Sequence, residues 1–296
     1  MHLDPYVVLG SAIIGLLVGM TGAGGGALMT PMLILIFGVK PSTAISSDLV
    51  AAVVMRPFGA AVHLKKGTVN LRLVCWLMLG SVPAAFLGSF LLHELGNSST
   101  SEKTVQHFLG AALLAGALGM IIRAFLDYRQ GNRRNGKVET IKVRPIASIF
   151  VGMIGGVIVG MTSVGSGSLM IVLLLFLYPV LGANQLVGTD LAQAVPLTTA
   201  AALGAIAFGH VEFAVTTSLI IGSVPAVLVG AFFSSRAPDT WIRPVITFVI
   251  LASGLKYVGL GPTELGWALV GVLAVAFITW TMTRKPWRTI RSTTEN

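Results

Sequence analysis

The sequence predicts an all-α integral membrane protein with two inverted-topology repeats. Each repeat is a glycine-broken helical hairpin followed by transmembrane helices, and one extra helix follows at the C-terminus. The first observation behind this fold class is composition: 54% of the 296 residues are hydrophobic and 10% are charged, whereas soluble domains carry about 25% charged residues. The second is a series of long apolar stretches, and the third is an internal sequence repeat.

The apolar stretches are long enough to cross or enter a hydrocarbon layer about 30 Å thick, and the mean hydropathy is +0.86. They occupy residues 5–21, 25–38, 43–64, 71–92, 105–126, 146–162, 166–181, 187–208, 213–234, 241–260 and 264–283. The second and the seventh are short, and glycine-rich or serine-rich residues separate each from the stretch before it. Short, glycine-interrupted pairs of this kind are typical of discontinuous membrane helices.

The internal repeat pairs the first half of the chain with the second. Residues 18–29 align with residues 159–170, and eight of these twelve positions are identical. Three further matches follow in the same order: 47–49 with 189–191, 67–69 with 209–211, and 80–84 with 222–226. One inserted residue accounts for the whole register, which indicates a duplication rather than chance similarity between apolar stretches.

Basic residues predict the orientation, because cytoplasmic loops of membrane proteins are rich in Lys and Arg. The connection at residues 127–144 and the tail after Thr283 are strongly basic, so both are predicted to be cytoplasmic. The turn at residues 65–72 falls on the same side, and its counterpart in the second half falls outside. The two halves are therefore predicted to be inverted in a cell inner (cytoplasmic) membrane, with the N-terminus outside. The net charge of +9 is interpreted as this orientation signal and not as a nucleic-acid surface.

The same patterns predict four regions of the chain. They are an N-terminal membrane repeat at 1–126, a cytoplasmic basic linker at 127–144, an inverted C-terminal membrane repeat at 145–260, and an extra transmembrane helix with a basic tail at 261–296.

The two glycine-rich breaks, at residues 22–26 and 165–168, are the predicted binding site for a small anion. Each new helix leaves N–H groups without intrahelical partners and carries partial positive charge at its N-terminus. Inverted symmetry would bring the two breaks together near the membrane midplane. The alternative interpretation is close helix packing by small residues, which is common in membranes.

Ionisable residues inside membrane segments are costly and indicate function. Asp48 and Asp190 occupy equivalent repeat positions, where they either bind a proton or cation, or cap a helix start. Arg56 lies in the middle of an apolar stretch; it either pairs with an anionic substrate or with Asp48, or it has a structural role. Gln193 lies one helical turn after Asp190 and is predicted to line the same path.

The predicted substrate-binding residues are Thr21, Gly22, Gly24, Gly25, Gly26, Thr162, Ser163, Gly165, Ser166, Gly167, Ser168, Arg56 and Gln193, and the predicted proton-coupling residues are Asp48 and Asp190. No His, Cys or carboxylate cluster with metal-ligand spacing occurs in the sequence, so neither a metal nor a cofactor is predicted. An intramembrane protease would show glycine-flanked aspartates, which are missing, and no enzymatic activity is predicted.

The glycine motif at 22–26 followed by Pro31, the segment from Ala44 to Asp48, and the second copy half a chain later resemble the sulfite exporter TauE/SafE family of membrane permeases. The resemblance covers nearly the whole chain. It implies transport of sulfite, of organosulfonates such as sulfoacetate, or of related small anions. The second copy departs from the pattern, with Val172 in place of Pro31 and Ser166 in place of Gly25.

The expected function is therefore a secondary transporter that exports sulfite or a similar sulfur oxyanion by alternating access. Protons are the expected coupling ion, and the lipid bilayer and the small anion are the expected partners. Two alternatives remain at this point: an uptake permease for another small anion, and a passive anion channel.

Overall fold

A computed structural model describes residues 4–21, 25–96, 99–130, 142–209, 211–233 and 239–283. Apart from an isolated bridge between Gly165 and Gly167, the regular structure in these ranges is helical. The helices are α1 (Pro5–Thr21), α2 (Gly26–Leu35), α3 (Pro41–Lys65), α4 (Leu71–Gly96), α5 (Ser99–Gln130), α6 (Pro145–Thr162), α7 (Leu169–Leu177), α8 (Ala183–Phe208), α9 (Phe213–Phe233), α10 (Asp239–Tyr257) and α11 (Pro262–Thr283). The predicted all-α fold is confirmed.

Six helices in the described ranges are long and apolar enough to cross a membrane, and the protein is a multi-pass membrane protein. The candidate spans are Pro41–Lys65, Leu71–Gly96, Glu102–Ile122, Pro145–Thr162, Gln185–Phe208 and Phe213–Gly230. Of the four helices that flank the glycine breaks, α6 is one of these spans, and the other three are shorter: α1 has 17 residues, α2 has 10 and α7 has 9. Short helices are what a discontinuous pair requires.

The chain forms two compact units, Met1–Val258 and Gly259–Asn296. The first contains α1 to α10, and the second contains α11. Residues 131–141 of the predicted basic linker and the tail at 284–296 lie outside the described residues.

Within the first unit, the order of helices α1 to α5 repeats as α6 to α10. The starts of α3 and α8, at Pro41 and Ala183, fall at equivalent positions of the sequence repeat, and so do the starts of α4 and α9 at Leu71 and Phe213. Several helix boundaries differ from the predicted stretches. The largest difference is at α5, which begins at Ser99, within a polar segment that the apolar pattern did not include. The Glu102 carboxylate, which accepts a hydrogen bond from the Ser42 hydroxyl at 2.6 Å, ties this added turn to α3.

Packing between helices also repeats. Gly80 of α4 lies against the carbonyl oxygen of Ile149 in α6, and the equivalent Gly222 of α9 lies against the carbonyl oxygen of Val8 in α1. A second equivalent set is Gly88 with Val157 and Gly230 with Leu16. A Cβ at any of these glycines would clash with the facing backbone, so small residues allow these helix axes to approach closely.

The equivalent helices α3 and α8 lie side by side and run antiparallel. Gly188, near the start of α8, lies against His63 at the end of α3. Gly209, just after the end of α8, lies against Ser46 near the start of α3. Aromatic contacts add to the packing of α8 on α4, where Phe86 and Phe90 meet Phe208 edge-on at centroid distances of 5.6 and 5.3 Å.

Two equivalent hydrogen bonds join the halves. The Asn70 amide donates to the Thr189 hydroxyl at 3.2 Å, and the Glu212 amide donates to the Ser47 hydroxyl at 3.2 Å. Ser47 and Thr189 immediately precede the two aspartates in the sequence. Each half therefore holds the aspartate-bearing helix of the other.

Candidate functional site

Each half of the protein contains one helix break. The first separates α1 from α2, and the second separates α6 from α7. In the second break Ser163 adopts a left-handed conformation (φ 56°), and Gly165 and Gly167 have φ values of 121° and 93°, which glycine adopts without steric cost. Among the described residues, the N-cap residues Gly25 and Ser168 make no side-chain cap to α2 or α7. The Leu28 and Met170 amides donate to the carbonyl oxygens of Gly25 and Gly165, and the other first-turn amides are candidate donors to a ligand.

The two breaks meet. Gly26, the first residue of α2, lies against the carbonyl oxygen and the hydroxyl of Ser163, the residue that follows α6. A Cβ at Gly26 would overlap that carbonyl oxygen. The contact joins the start of one short helix to the end of the helix before the other.

Both aspartates are buried, and each accepts a hydrogen bond from the break of its own half or from the short helix that follows it. The Thr30 hydroxyl in α2 donates to Oδ2 of Asp48 at 2.9 Å, and the Gly167 amide donates to Oδ2 of Asp190 at 2.6 Å. Each aspartate lies well inside its helix, seven residues after the first residue of α3 or α8. Neither caps its own helix, although Asp190 accepts a backbone N–H from the break that leads into α7.

Arg56 is buried in α3, with 8% of its surface exposed. It interacts electrostatically with both Asp48 and Asp190. Neither of its terminal nitrogens, Nη1 and Nη2, has a hydrogen-bond partner among the described residues. A buried polar group without a partner costs about 1–3 kcal/mol, and a charged one costs more, so this arrangement needs a functional explanation.

Gln193 extends the cluster toward α4. Its amide nitrogen donates to the Ser81 hydroxyl at 2.8 Å, while Oε1 of Gln193 and the Ser163 hydroxyl have no hydrogen-bond partner among the described residues. Sequence reasoning missed Ser81 and Thr30. The identity of residues 80–84 and 222–226 was a usable signal for Ser81; no pattern marked Thr30.

Other predicted site residues have different surroundings. The Thr162 hydroxyl donates to the Ile158 carbonyl at 2.6 Å, and Ser168 places its hydroxyl against Gly116 of α5. Ser166 is buried, and Gly25 lies near the Met55 side chain. Gly22, Gly24 and the side chain of Thr21 lie outside the described residues. The described residues also contain no group of three His, Cys, Asp or Glu side chains arranged to hold a metal ion.

The sequence matches a profile of the family described as "Sulfite exporter TauE/SafE" over residues 7–257. The chain belongs to this family. The match covers nearly all of α1 and the whole of α2 to α10. It therefore includes both breaks, both aspartates and Arg56.

Relatives of this TauE/SafE protein are named as transporters. It is 37% identical over 253 residues to "Probable membrane transporter protein YjnA" of Bacillus subtilis (strain 168), with 85% of this chain and 98% of the relative covered. It is 24% identical to "Probable membrane transporter protein YdhB" of the same organism, with 84% and 98% covered. No solved structure matches the chain. Family and relatives identify a membrane transporter.

Proposed function

We propose that this protein is a secondary transporter that carries sulfite, or a related sulfur oxyanion or organosulfonate, across the cytoplasmic membrane. The observation that carries the proposal is the buried Arg56, whose two terminal nitrogens have no hydrogen-bond partner among the described residues. Its guanidinium presents a planar fork of N–H donors, which matches two oxygens of one oxyanion. A bound anion would supply the missing acceptors.

The helix breaks add donors to this fork. The first amides of α2 and α7 have no side-chain caps in the described part of the chain, and helix N-termini favour anions. Because Gly26 lies against the Ser163 hydroxyl, the first residue of α2 and a hydroxyl donor of the second half lie near one another. A pyramidal or tetrahedral anion with three oxygens suits a site whose donors come from several directions.

Transport by alternating access is supported by the relation between the two halves. The equivalent helices α3 and α8 run antiparallel in contact, as expected for halves related by a two-fold axis in the membrane plane. In this proposal the N-terminus lies outside and the basic linker and tail lie in the cytoplasm. Rocking of one half against the other would then expose the break site to each side in turn.

The face of the molecule that carries the linker differs from the opposite face, and the difference suits a state in which the site is accessible from one side. On the face with the linker, the Tyr178 hydroxyl accepts a hydrogen bond from the Arg144 amide at 2.8 Å and bonds the Ser148 hydroxyl at 2.7 Å. The repeat register pairs Tyr178 and Ser148 with Phe37 and Val7 of the first half.

In the first half these positions have no hydroxyls, and Phe37 and Val7 line an open cavity of about 460 Å³. Asp4, Lys40 and Glu212 also line this cavity. In this proposal the side of this cavity, which we name the outer cavity, is the open side, and the face at Tyr178 is the closed side. The direction of net transport then follows the gradients, and the carrier exports wherever the anion accumulates inside.

The test is uptake of labelled sulfite by proteoliposomes, with and without an imposed pH gradient. Wild-type protein is expected to accumulate sulfite only with the gradient. The variant R56Q should lose this uptake, and the matched control R72Q, at the exposed second residue of α4, should retain it. Conductance without response to the pH gradient would identify a channel instead, and preference for an anion without sulfur would identify another permease. No flux of any anion by folded protein would refute the proposal.

A further inference from the structure

The two aspartates occupy equivalent positions but have different hydrogen-bond donors. A side-chain hydroxyl, that of Thr30, donates to Asp48, whereas a backbone amide, that of Gly167, donates to Asp190. The sequence repeat alone gives no reason to separate their roles. The two hydrogen-bond donors do give such a reason, because a hydroxyl and a backbone amide respond differently to protonation of the carboxylate.

A hydroxyl both donates and accepts hydrogen bonds, whereas a backbone N–H only donates. If Asp48 takes up a proton, the Thr30 hydroxyl can turn and accept a bond from the new carboxylic acid, so the contact survives in both states. Gly167 has no such option. Its short, charge-assisted bond of 2.6 Å to Asp190 is strongest when that carboxylate is ionised.

The second carboxyl oxygen of Asp48 is also available for a proton. Oδ1 of Asp48 is buried and has no hydrogen-bond partner among the described residues, and the Ser163 hydroxyl lies beside the same carboxyl group. The charged groups that face Asp48 are Arg56 on its own helix and, beyond Arg56, Asp190 on α8. From α2 and from the end of α6, the facing groups are the hydroxyls of Thr30 and Ser163.

We propose that Asp48 is the residue that binds and releases the transported proton, and that Asp190 stays ionised and holds the second break in place. This inference rests on the proposed function. The step is a simple protonation: the Asp48 carboxylate takes one proton from hydronium, so that an O–H bond forms on the carboxyl group, an O–H bond of hydronium breaks, and water is left. With Asp48 and Asp190 both ionised, the cluster around Arg56 carries net charge −1. Protonation of Asp48 brings it to zero, which favours entry of an anion together with the proton.

The experiment compares D48N and D190N in proteoliposomes by two readouts. One is accumulation of labelled sulfite driven by a pH gradient, and the other is exchange of external labelled sulfite for internal unlabelled sulfite, which requires no net proton movement. Asparagine imitates a protonated aspartate, so D48N is expected to retain exchange at all pH values tested and to lose accumulation. The D190N variant is expected to reduce both readouts while its residual flux stays coupled to the gradient.

Each outcome decides the assignment. Accumulation by D48N, or loss of exchange by D48N protein that remains monodisperse and melts like the wild type, would overturn it. Exchange without accumulation in D190N would reverse the two roles. Failure of the proposed function looks different, because then the wild type itself shows no proton-driven sulfite accumulation. The T30V variant adds a second check. It should shift the pH dependence of accumulation, because it removes the hydroxyl that bonds Asp48 in both protonation states, but it should not abolish exchange.

Discussion

Gly26 and Ser163 are in contact across the boundary between the two halves, with the first residue of α2 against the carbonyl oxygen that follows α6. The Asp48 carboxyl group lies beside the same serine and also accepts a hydrogen bond from Thr30 in α2. One small contact therefore connects the first break, the second break and a buried acid. A larger residue at Gly26 should therefore displace the first break, the second break and the surroundings of Asp48.

The variant G26A is expected to lose most transport. Its Cβ would overlap the Ser163 carbonyl oxygen, so α2 must move away from the second break and the donors of the two halves separate. The measurement is labelled sulfite uptake by equal amounts of purified, reconstituted protein. G59A is the matched control, because a Cβ at Gly59 would meet only the Leu191 side chain at 3.8 Å. Wild-type uptake by G26A would show that the contact between the breaks is not needed.

Replacing Arg56 by lysine keeps the charge but removes the planar fork. We expect R56K to raise the KM for sulfite by about tenfold or more, consistent with the loss of a charge-assisted hydrogen bond of about 1.5–3 kcal/mol. Transport rates as a function of sulfite concentration test this expectation. An unchanged KM in R56K would mean that Arg56 acts through charge alone or does not touch the anion.

The glycines at the α4–α6 and α1–α9 contacts should behave as equivalent pairs. Alanine at Gly80 or at Gly222 would place a Cβ against backbone of the facing helix, and such overpacking costs about 1–3 kcal/mol. Both variants are expected to lower the melting temperature in detergent by similar amounts. The control G271A has open space around its Cβ and should melt like the wild type. A large loss for one glycine and none for its equivalent would contradict the symmetric packing.

The Tyr178 hydroxyl is expected to keep its face of the protein closed. In a C75S background, which removes the exposed free thiol, a cysteine at the buried Leu73 should react poorly with a membrane-impermeant thiol reagent. Adding Y178F should increase this labelling, because phenylalanine cannot bond Ser148 or the Arg144 amide. A cysteine at Val215, the equivalent position that lines the outer cavity, should be labelled in both backgrounds. Equal protection of the Leu73 position with and without Tyr178 would exclude this role.

The order and number of helices were predictable from sequence because membrane helices must be long and apolar. The start of α5 was not, since its first turns are polar and are held by the side-chain bond between Ser42 and Glu102. Local hydropathy does not predict that hydrogen bond.

The candidate site was predictable in outline. The repeat identified the two breaks and the two equivalent aspartates, and burial of Arg56 followed from its apolar surroundings. The partners of these groups were not predictable, because Thr30, Ser81 and Tyr178 act through side-chain contacts between different helices, which hydropathy does not show. The different donors of Asp48 and Asp190 also break the symmetry that the repeat suggests.

Binding of sulfite where the two breaks meet is tested by a cryo-EM or crystal structure of the protein with saturating sulfite. We expect density for one anion where the breaks meet, with its oxygens at hydrogen-bond distance, about 3 Å, from the Arg56 guanidinium and from first-turn amides of α2 or α7. An anion found only elsewhere, for example beside Lys40 in the outer cavity, or a break region without density at saturation, would contradict it.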